Sequence, residues 1–296
     1  MNNSHPGLPE FDYIKPASLA DASRFLSEHA KESMPFSGGT DTFVRMRDGN
    51  LSPRFLVDIK GFDETKEISF HSKTGLTIGA AVPMNRVIAF PDAGRVYPLL
   101  VETARSVASY QLRNRATIIG NICNASPAGD TIGACLVLQG ALTIHGEGGL
   151  RNIPLTDFFL GPGRTILKPG DIVIAIRLPL PPRNSAGKYY KLGRNKLSDL
   201  SIVALAALGY PDETTTSGFR FRLALASVAP VPFVPQEAEA ILAGNKINTD
   251  TIEAAAVAAM NAVRPIDDVR GTARYRKLMV RNITRQVVSA IWNEIK

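Results

Sequence analysis

The sequence has little cysteine and histidine, and neither residue is spaced as a metal site requires. Only two cysteines occur, Cys123 and Cys135, which are too few for a disulfide framework and too far apart for a C-x-x-C motif. The four histidines are scattered, with no nearby cluster of cysteines or carboxylates. We therefore expect no metal ligand set, and the cysteine content is typical of a reducing cytoplasm.

Common nucleotide-binding, hydrolase and membrane signatures are absent as well. The chain has no G-x-x-x-x-G-K-[ST] phosphate loop, no G-x-G-x-x-G after a strand and no G-x-S-x-G elbow. No apolar run approaches the roughly 20 residues that a membrane span needs. The first residues, 1–6, lack the basic and apolar pattern of a secretory signal. These absences predict a cytoplasmic protein without a membrane span.

The net charge of +7 raises the alternative of a basic, non-enzymatic nucleic-acid-binding protein. Its basic residues are scattered, however, and form no dense run with interleaved aromatic residues. No helix-turn-helix or zinc-finger spacing occurs either. The charge pattern therefore favours solvated surfaces and contacts with phosphate or partner subunits over nucleic acid.

The chain divides into a tail and three blocks. Residues 1–10 are predicted to be a tail, and residues 11–60 alternate strand, helix, strand, helix, strand. The block 61–180 mixes strands with helices and ends at a proline-rich linker. The block 186–296 begins with strands of an antiparallel sheet and ends with helices. We therefore predict an α+β fold.

The periodicity places individual elements within these blocks. Ser18 is a suitable cap for a helix at 19–29. The alternation of apolar and basic residues in 219–225 predicts a sheet with one face in water. Further helices are predicted at 97–107, 131–138, 251–263 and 275–295, and further strands at 55–59, 75–81, 141–145, 171–178, 189–192 and 202–208.

Two glycine-containing turns are the candidates for chemistry. The first, Ser37-Gly38-Gly39-Thr40-Asp41, precedes a short helical turn, and its backbone N–H groups could bind phosphate. The second, Thr117-Ile118-Ile119-Gly120-Asn121, leads into a stretch rich in small polar and amide side chains, which ends at Asp130. From the residues alone, each turn could equally be a helix cap.

Four stretches together carry a family resemblance. They are PFSGGTDTFVRMRDG (35–49), RNRATIIGNICNASPAGDT (113–131), IPLTDFFLGPGRTILKPGDIVIAIRLP (153–179) and KYYKLGRNKLSDLSIV (188–203). In their order and spacing, over about residues 11–290, they resemble the FAD-binding (medium) subunit of the xanthine dehydrogenase and carbon monoxide dehydrogenase family of molybdenum hydroxylases. Four matching stretches are a specific signal, whereas either turn alone is weak.

The resemblance implies a fold and a set of FAD-binding residues. The fold is a two-part FAD-binding domain of the vanillyl-alcohol oxidase (PCMH) type, 11–60 and 61–180, followed by a C-terminal domain at 186–296, with the FAD between them. Lys191 matches a lysine near the flavin ring, where a cation would stabilise the reduced cofactor. The matching positions are Pro35, Phe36, Ser37, Gly38, Gly39, Thr40, Asp41 and Thr42 around the pyrophosphate; Thr117, Gly120 and Asn121 on the second phosphate-side turn; Asp130 at the ribityl or ribose hydroxyls; Ala108 against the flavin; Ile174 beside the adenine or ring system; and Lys191.

The resemblance also implies partners. A large subunit with a molybdenum cofactor would hydroxylate the organic substrate, and a small subunit would carry two [2Fe–2S] clusters. The present chain would pass electrons from those clusters to NAD, a quinone or another acceptor, in a dimer of heterotrimers. The residues are also open to a second interpretation, a stand-alone flavin oxidoreductase of the same fold, although no acid or base is cleanly placed for it.

Two departures from the family pattern lead to expectations of their own. Ile119 stands where relatives usually have glycine, and a β-branched residue tolerates positive φ poorly. We therefore expect ordinary φ at Ile119 and close backbone approach at Gly120 only. Some relatives carry an extra iron–sulfur cluster on a four-cysteine insertion, which the stretch 121–130 has no room for. We accordingly expect no iron–sulfur cluster on this chain.

Overall fold

The computed structural model describes residues 7–195 and 199–296, so the first six residues of the expected tail 1–10 lie outside the described residues. The described chain combines helices with three main sheets and a two-stranded hairpin. The predicted α+β class is confirmed.

The first part of the chain is a small parallel sheet with two helices. Strand β3 lies between the other two, and Phe55 is in register with both Asp12 and Ser33. Ser18 caps the first helix, because its hydroxyl accepts a hydrogen bond from the Asp21 N–H at 3.1 Å. The predicted order of elements in this part is confirmed: β1 (Asp12–Ile14), α1 (Leu19–Glu28), β2 (Ser33–Phe36), α2 (Thr40–Arg47) and β3 (Phe55–Asp58).

The second part is a five-stranded antiparallel sheet with helices inserted between its strands. Its strands follow the order β4-β5-β10-β6-β7, so the last strand in sequence, β10, occupies the centre. Its elements are α3 (Asp63–Lys66), β4 (Ile68–His71), β5 (Gly75–Gly79), α4 (Met84–Ala89), α5 (Pro91–Val96), α6 (Pro98–Ser106), α7 (Tyr110–Arg113), α8 (Ile118–Cys123), α9 (Asp130–Val137), β6 (Ala141–Gly146), β7 (Gly149–Pro154), β8 (Phe159–Gly161), β9 (Arg164–Thr165) and β10 (Ile172–Leu178).

The third part is a three-stranded antiparallel sheet covered by helices. The strands lie in sequence order, and the C-terminal helices build an apolar core on one face. The elements are β11 (Ala186–Leu192), β12 (Val203–Pro211), β13 (Phe219–Ala226), α10 (Gln236–Gly244), α11 (Thr249–Ala262) and α12 (Ala273–Ile295). The sequence predicted the three strands and the last two helices, but not α10.

The prediction that this last sheet has one face in water is wrong. Strand β12 is buried at every position from Val203 to Tyr210. Helix α9 from the second part covers the face opposite the C-terminal helices. An added Cβ on Gly133 of α9 would lie 3.1 Å from the Ala206 Cβ, so the missing side chain lets the helix approach closely. The sheet is therefore enclosed between α9 and the C-terminal helices.

Within the described residues, no helix combines the length and the apolar character that a bilayer crossing demands.

The stability of the C-terminal part should depend on the ionisation of Glu239 on α10. Its carboxylate accepts a hydrogen bond from the Leu223 N–H at 2.6 Å, and burial raises its pKa from 4.5 to about 7. The unfolded chain thus releases this proton near pH 4.5, whereas the folded chain keeps it until about pH 7. This contribution to stability is therefore full below the unfolded pKa and is lost as pH rises through the folded pKa, by up to about 3 kcal/mol.

We expect Glu239→Gln to remove this loss of stability at higher pH. The free energy of unfolding of the wild type, measured relative to that of the variant, should be lower at about pH 8 than at about pH 5. These two values roughly bracket the range between the unfolded and folded pKa of Glu239. Urea unfolding at the two pH values measures the difference, with Glu237→Gln on the exposed face of α10 as the control for removing one charge. A wild-type-to-variant difference that does not change with pH would contradict the assignment.

Candidate functional site

The first glycine turn leaves helix α2 with open N–H groups. Gly39 adopts φ of 74°, and no side chain caps the helix. The first helical hydrogen bond runs from the Phe43 N–H to the Gly39 carbonyl. Among the described residues, the N–H groups of Thr40, Asp41 and Thr42 therefore have no partner. Three free amides at a helix start attract a negatively charged group.

The first turn lies directly against the chain that leads into the second. An added Cβ on Gly38 would be 2.2 Å from the Arg115 carbonyl oxygen and 3.2 Å from the Ala116 Cα. Only glycine allows two backbones to approach this closely. The two stretches are almost 80 residues apart in the sequence. Their contact depends on Gly38.

The same turn also contacts the five-stranded sheet, just beyond the end of strand β5. The Ser37 hydroxyl donates to the Ala80 carbonyl at 3.0 Å, and the Ala80 N–H donates to the Ile174 carbonyl at 2.8 Å. The pairing of β10 with β6 shifts register between Val173 and Ala175, so Ile174 is at a bulge. A bulge re-aims the backbone locally. Here it brings the Ile174 carbonyl next to Ala80, to which the turn is bound.

The predicted second turn is in fact the beginning of helix α8. Thr117 is the N-cap, and its hydroxyl accepts a hydrogen bond from the Gly120 N–H at 2.8 Å. Ile118 and Ile119 are buried on the inner side of the helix. Ile119 is not among the described residues with positive φ, which confirms the expectation of ordinary backbone there.

Gly120 is exposed on the outer side of α8. The one atom that an added Cβ would meet is the Thr117 hydroxyl oxygen at 2.9 Å. The outer face of α8 at its N-terminus therefore exposes only backbone atoms, and it lies beside the glycine turn at residues 37–41.

Asn121 connects α8 to α9. Its side-chain oxygen accepts hydrogen bonds from the Thr131 hydroxyl at 2.7 Å and from the Thr131 N–H at 3.3 Å. Thr131 follows Asp130, the first residue of α9. A continuous series of contacts therefore runs from the first turn through Thr117 and Asn121 to Asp130.

Asp130 is the meeting point of the second and third parts of the chain. Its two carboxylate oxygens accept hydrogen bonds from the Tyr189 hydroxyl and the Lys191 ammonium, both at 2.8 Å. Lys191 also donates to the Ser106 carbonyl at 3.2 Å. Burial raises the pKa of Asp130, and the charge and hydrogen bond of Lys191 oppose that rise. An ion pair, with side-chain exposures of 10% for Asp130 and 15% for Lys191, thus closes one side of the site.

Ala108 lies in a strained loop two residues beyond Ser106. Its φ of 43° is unusual for a residue with a side chain, and such strain costs on the order of 1 kcal/mol or more. The Arg113 guanidinium holds the loop by donating to the carbonyls of Val107 and Ala108 at 2.8 and 3.2 Å. The loop is therefore fixed beside the Lys191 contact.

Three of the predicted site residues offer backbone rather than side chains. The Phe36 ring packs with Met46 and Leu56 in a small core, and the Ile174 side chain is buried in the main core. Pro35 is exposed at the strand preceding the turn. The remaining predicted residues lie along the series of contacts from Ser37 to Lys191.

Sequence reasoning missed Tyr189 and Arg113 as members of this site. Tyr189 stands two residues before Lys191 on β11, so both side chains point to the same face of the strand. This two-residue spacing from Lys191 could have identified Tyr189 from the sequence. Arg113 opens the matching stretch 113–131 but was given no role, because the carbonyls that it binds come together only in the folded chain.

A cavity of about 260 Å³ adjoins the site. It shares Ser126, Pro127 and Ala128 with the loop that leads to Asp130. Its far side contains three arginines and one aspartate, which are Arg264, Arg270, Arg276 and Asp268. The lining is therefore net positive, and the rest of it is mainly apolar. Within the described residues, no cluster of three or more His, Cys, Asp or Glu side chains is suited to a metal ion.

Comparison with known proteins yields two sequence families that together span most of the chain. Residues 9–181 match the family described as "FAD binding domain in molybdopterin dehydrogenase", and residues 188–291 match "CO dehydrogenase flavoprotein C-terminal domain". Residues 9–181 include the two glycine-containing stretches and Asp130, and residues 188–291 include Lys191.

Individual proteins are similar over nearly their whole length. The xanthine dehydrogenase FAD-binding subunit of Escherichia coli O157:H7 is 30% identical over 278 residues, 94% of each chain. The carbon monoxide dehydrogenase medium chain of Hydrogenophaga pseudoflava is 29% identical over 284 residues, covering 96% of this chain and 98% of that protein. A solved carbon monoxide dehydrogenase structure from Hydrogenophaga pseudoflava superposes with a TM-score of 0.92 at 30% identity, covering 97% of this chain and 99% of that one.

We expect Gly38→Ala to destabilise the protein by about 1–3 kcal/mol, because the new methyl group would overlap the Arg115 carbonyl and force the two backbones apart. Urea unfolding measures the change. Gly61→Ala is the matched control, since an added Cβ at Gly61 meets nothing within 4 Å. Equal stability of the two variants would show that the contact between the turns is not tight.

Proposed function

The chain belongs to the family of FAD-binding subunits of molybdopterin dehydrogenases, and we propose that it transfers electrons through FAD within a molybdenum hydroxylase complex. Its electrons would come from [2Fe–2S] clusters of a partner subunit and leave to an external acceptor such as NAD. The observation that carries this proposal is the continuous series of contacts from the Gly38 turn to Lys191, which joins both halves of the chain around one site.

The residues of the site fit FAD chemically. The open N–H groups at the start of α2 suit a pyrophosphate, and the bare backbone around Gly38 and Gly120 leaves room for close approach. The Lys191 ammonium supplies a positive charge at the other end. We propose as FAD contacts Pro35, Phe36, Ser37, Gly38, Gly39, Thr40, Asp41, Thr42, Ala108, Thr117, Gly120, Asn121, Asp130, Ile174 and Lys191.

The side-chain environment narrows the role of several of these residues. Pro35, Phe36 and Ile174 would line the site with their backbone atoms, because the Phe36 and Ile174 side chains are buried in hydrophobic cores. Asp130 already accepts two hydrogen bonds, and each carboxylate oxygen keeps a lone pair for a hydroxyl of the cofactor. When bound, FAD supplies the ability to take up and release two electrons.

Backbone strain around the site supports a functional assignment. Five non-glycine residues in the described chain have positive φ, and three of them, Ala108, Ala125 and Ser227, lie beside the series of contacts. The Ser227 N–H donates to the Pro127 carbonyl, on the loop that leads to Asp130. Strained residues persist where the surrounding structure holds them, and they cluster at binding sites.

The positively charged cavity supports an anionic electron acceptor. Its arginines line the same cavity as residues 126–128, so a bound acceptor would lie next to the proposed FAD site. The phosphates of NAD match this charge, because arginine guanidinium groups bind phosphate oxygens well.

We further propose that the chain works with a large molybdenum-cofactor subunit and a small [2Fe–2S] subunit, in a dimer of heterotrimers in the cytoplasm. The relatives named as subunits or medium chains of dehydrogenases support a multi-subunit assembly. The cysteines Cys123 and Cys135 are both unpaired, which agrees with a reducing compartment.

Removing FAD from the purified complex is expected to separate its two half-reactions. The partner subunits should still be reduced, seen as bleaching of the iron–sulfur absorbance, but reduction of the acceptor should stop. Adding FAD back should restore it at one FAD per chain. A FAD-free complex that reduces the acceptor at the full rate would contradict the proposal.

The same preparation distinguishes the alternatives. Turnover of an organic substrate by the lone chain would favour a stand-alone oxidoreductase. A protein that binds no flavin but binds DNA with steep salt dependence would favour nucleic-acid binding.

The acceptor site is tested by Arg264→Gln. This exposed arginine lines the cavity, so its loss should raise the KM for an anionic acceptor about tenfold while leaving FAD content unchanged. Steady-state kinetics with varied NAD gives the measurement. Arg274→Gln, an exposed charge that is not among the cavity-lining residues, is the control. If both variants keep the wild-type KM, the cavity does not bind the acceptor.

A further inference from the structure

Tyr189 is bound to the same carboxylate as Lys191. Its hydroxyl donates to one oxygen of Asp130 and the Lys191 ammonium donates to the other, each at 2.8 Å. Both donors come from strand β11, two residues apart and on one face. The carboxylate is thus held by a neutral and a charged donor from the same strand.

The strand that carries both donors is itself fixed to helix α6. The Tyr189 N–H donates to the Glu102 carboxylate at 3.2 Å, and Lys191 donates to the Ser106 carbonyl at 3.2 Å. Glu102, in the middle of α6, is an ionisable group that acts on Tyr189 in addition to Asp130. These contacts hold the phenol and the ammonium in one arrangement relative to Asp130.

The phenol remains a proton donor across the physiological range. Burial, together with the negative charge of Asp130, raises the pKa of Tyr189 well above its usual value. For Asp130, burial raises the pKa, while the hydrogen bonds from Lys191 and Tyr189 lower it. Tyr189 therefore favours the ionised form of Asp130 without contributing a charge of its own.

We infer that Tyr189 is a positioning residue that keeps Asp130 ionised and so keeps the Lys191 charge balanced beside the cofactor. This inference rests on the proposed function, because it takes Lys191 to lie close to the bound FAD. In this role Tyr189 acts through Asp130, to which its hydroxyl donates a hydrogen bond.

The balance of charge has a direct consequence for reduction. Adding electrons is easier beside an unbalanced positive charge than beside a neutral ion pair. If Tyr189 is lost, Asp130 takes up a proton more readily, and the Lys191 ammonium is left without its counterion. The reduction potential of the bound FAD should then rise.

The test is Tyr189→Phe in the FAD-loaded complex, with the FAD potential measured by anaerobic titration at several pH values. We expect the equilibrium constant for reduction of the bound FAD to rise about tenfold. This corresponds to a rise in potential of about 30 mV for a two-electron couple. The shift should be largest in the pH range where Asp130 is protonated in the variant but still ionised in the wild type, and it should vanish at alkaline pH, where Asp130 is ionised in both. A purely structural role would change FAD affinity without this pH profile.

Two further variants fix the direction of the effect. Asp130→Asn should raise the potential wherever Asp130 is ionised in the wild type, and Lys191→Met should lower it, because each removes one partner of the ion pair. Tyr190→Phe is the matched control, since Tyr190 packs against the C-terminal core and not against Asp130.

A Tyr189→Phe complex that keeps FAD at an unchanged potential at all pH values would overturn the inference and leave the proposed function standing. Failure of the wild type to bind FAD would instead overturn the proposed function. A Tyr189→Phe complex that does not hold FAD would also overturn the inference, because Tyr189 would then be needed for binding and not for the charge balance alone.

Discussion

The ion pair between Asp130 and Lys191 is the interaction on which the site depends. It joins the first residue of a wholly buried helix to a strand of the C-terminal sheet, with both side chains largely hidden from water. Breaking such a pair leaves an uncompensated charge, which is costly in a buried place. The close packing of Gly133 against Ala206 brings the same helix and sheet together. The ion pair is therefore fixed by the fold on both sides.

The other side of the site is built from backbone rather than side chains. Gly38 allows the first turn to lie against Arg115, and the Ser37 hydroxyl binds that turn to the sheet at Ala80, just beyond the end of β5. A site made in this way offers N–H groups and space, which suit a phosphate, while the charged residues lie elsewhere. The division between a backbone side and a charged side matches a long cofactor with chemically different ends.

Much of this arrangement could be predicted because its causes are local. The order of elements in the first part follows from apolar periodicity, and Ser18 is a cap by residue type. The second stretch was predicted as a turn or a helix cap, and it is the capped start of α8, where burial of Ile118 and Ile119 favours the helix although Gly120 and Asn121 are poor helix formers. The enclosed face of the last sheet could not be foreseen, since helix α9 comes from a distant part of the sequence. The spacing of Tyr189 and Lys191 indicated a shared face, but not the hydrogen bond from Tyr189 to Asp130.

Amide hydrogen exchange with and without FAD tests most directly whether one cofactor is held by both halves of the chain. We expect bound FAD to slow exchange in the first turn, at residues 38–42, at the start of α8, at residues 117–121, and in strand β11 around Lys191. Protection should appear in all three segments at the same FAD concentration, because they would enclose one molecule. Protection confined to the segments before residue 180, or no protection at all, would contradict a site that joins the two halves through Asp130 and Lys191.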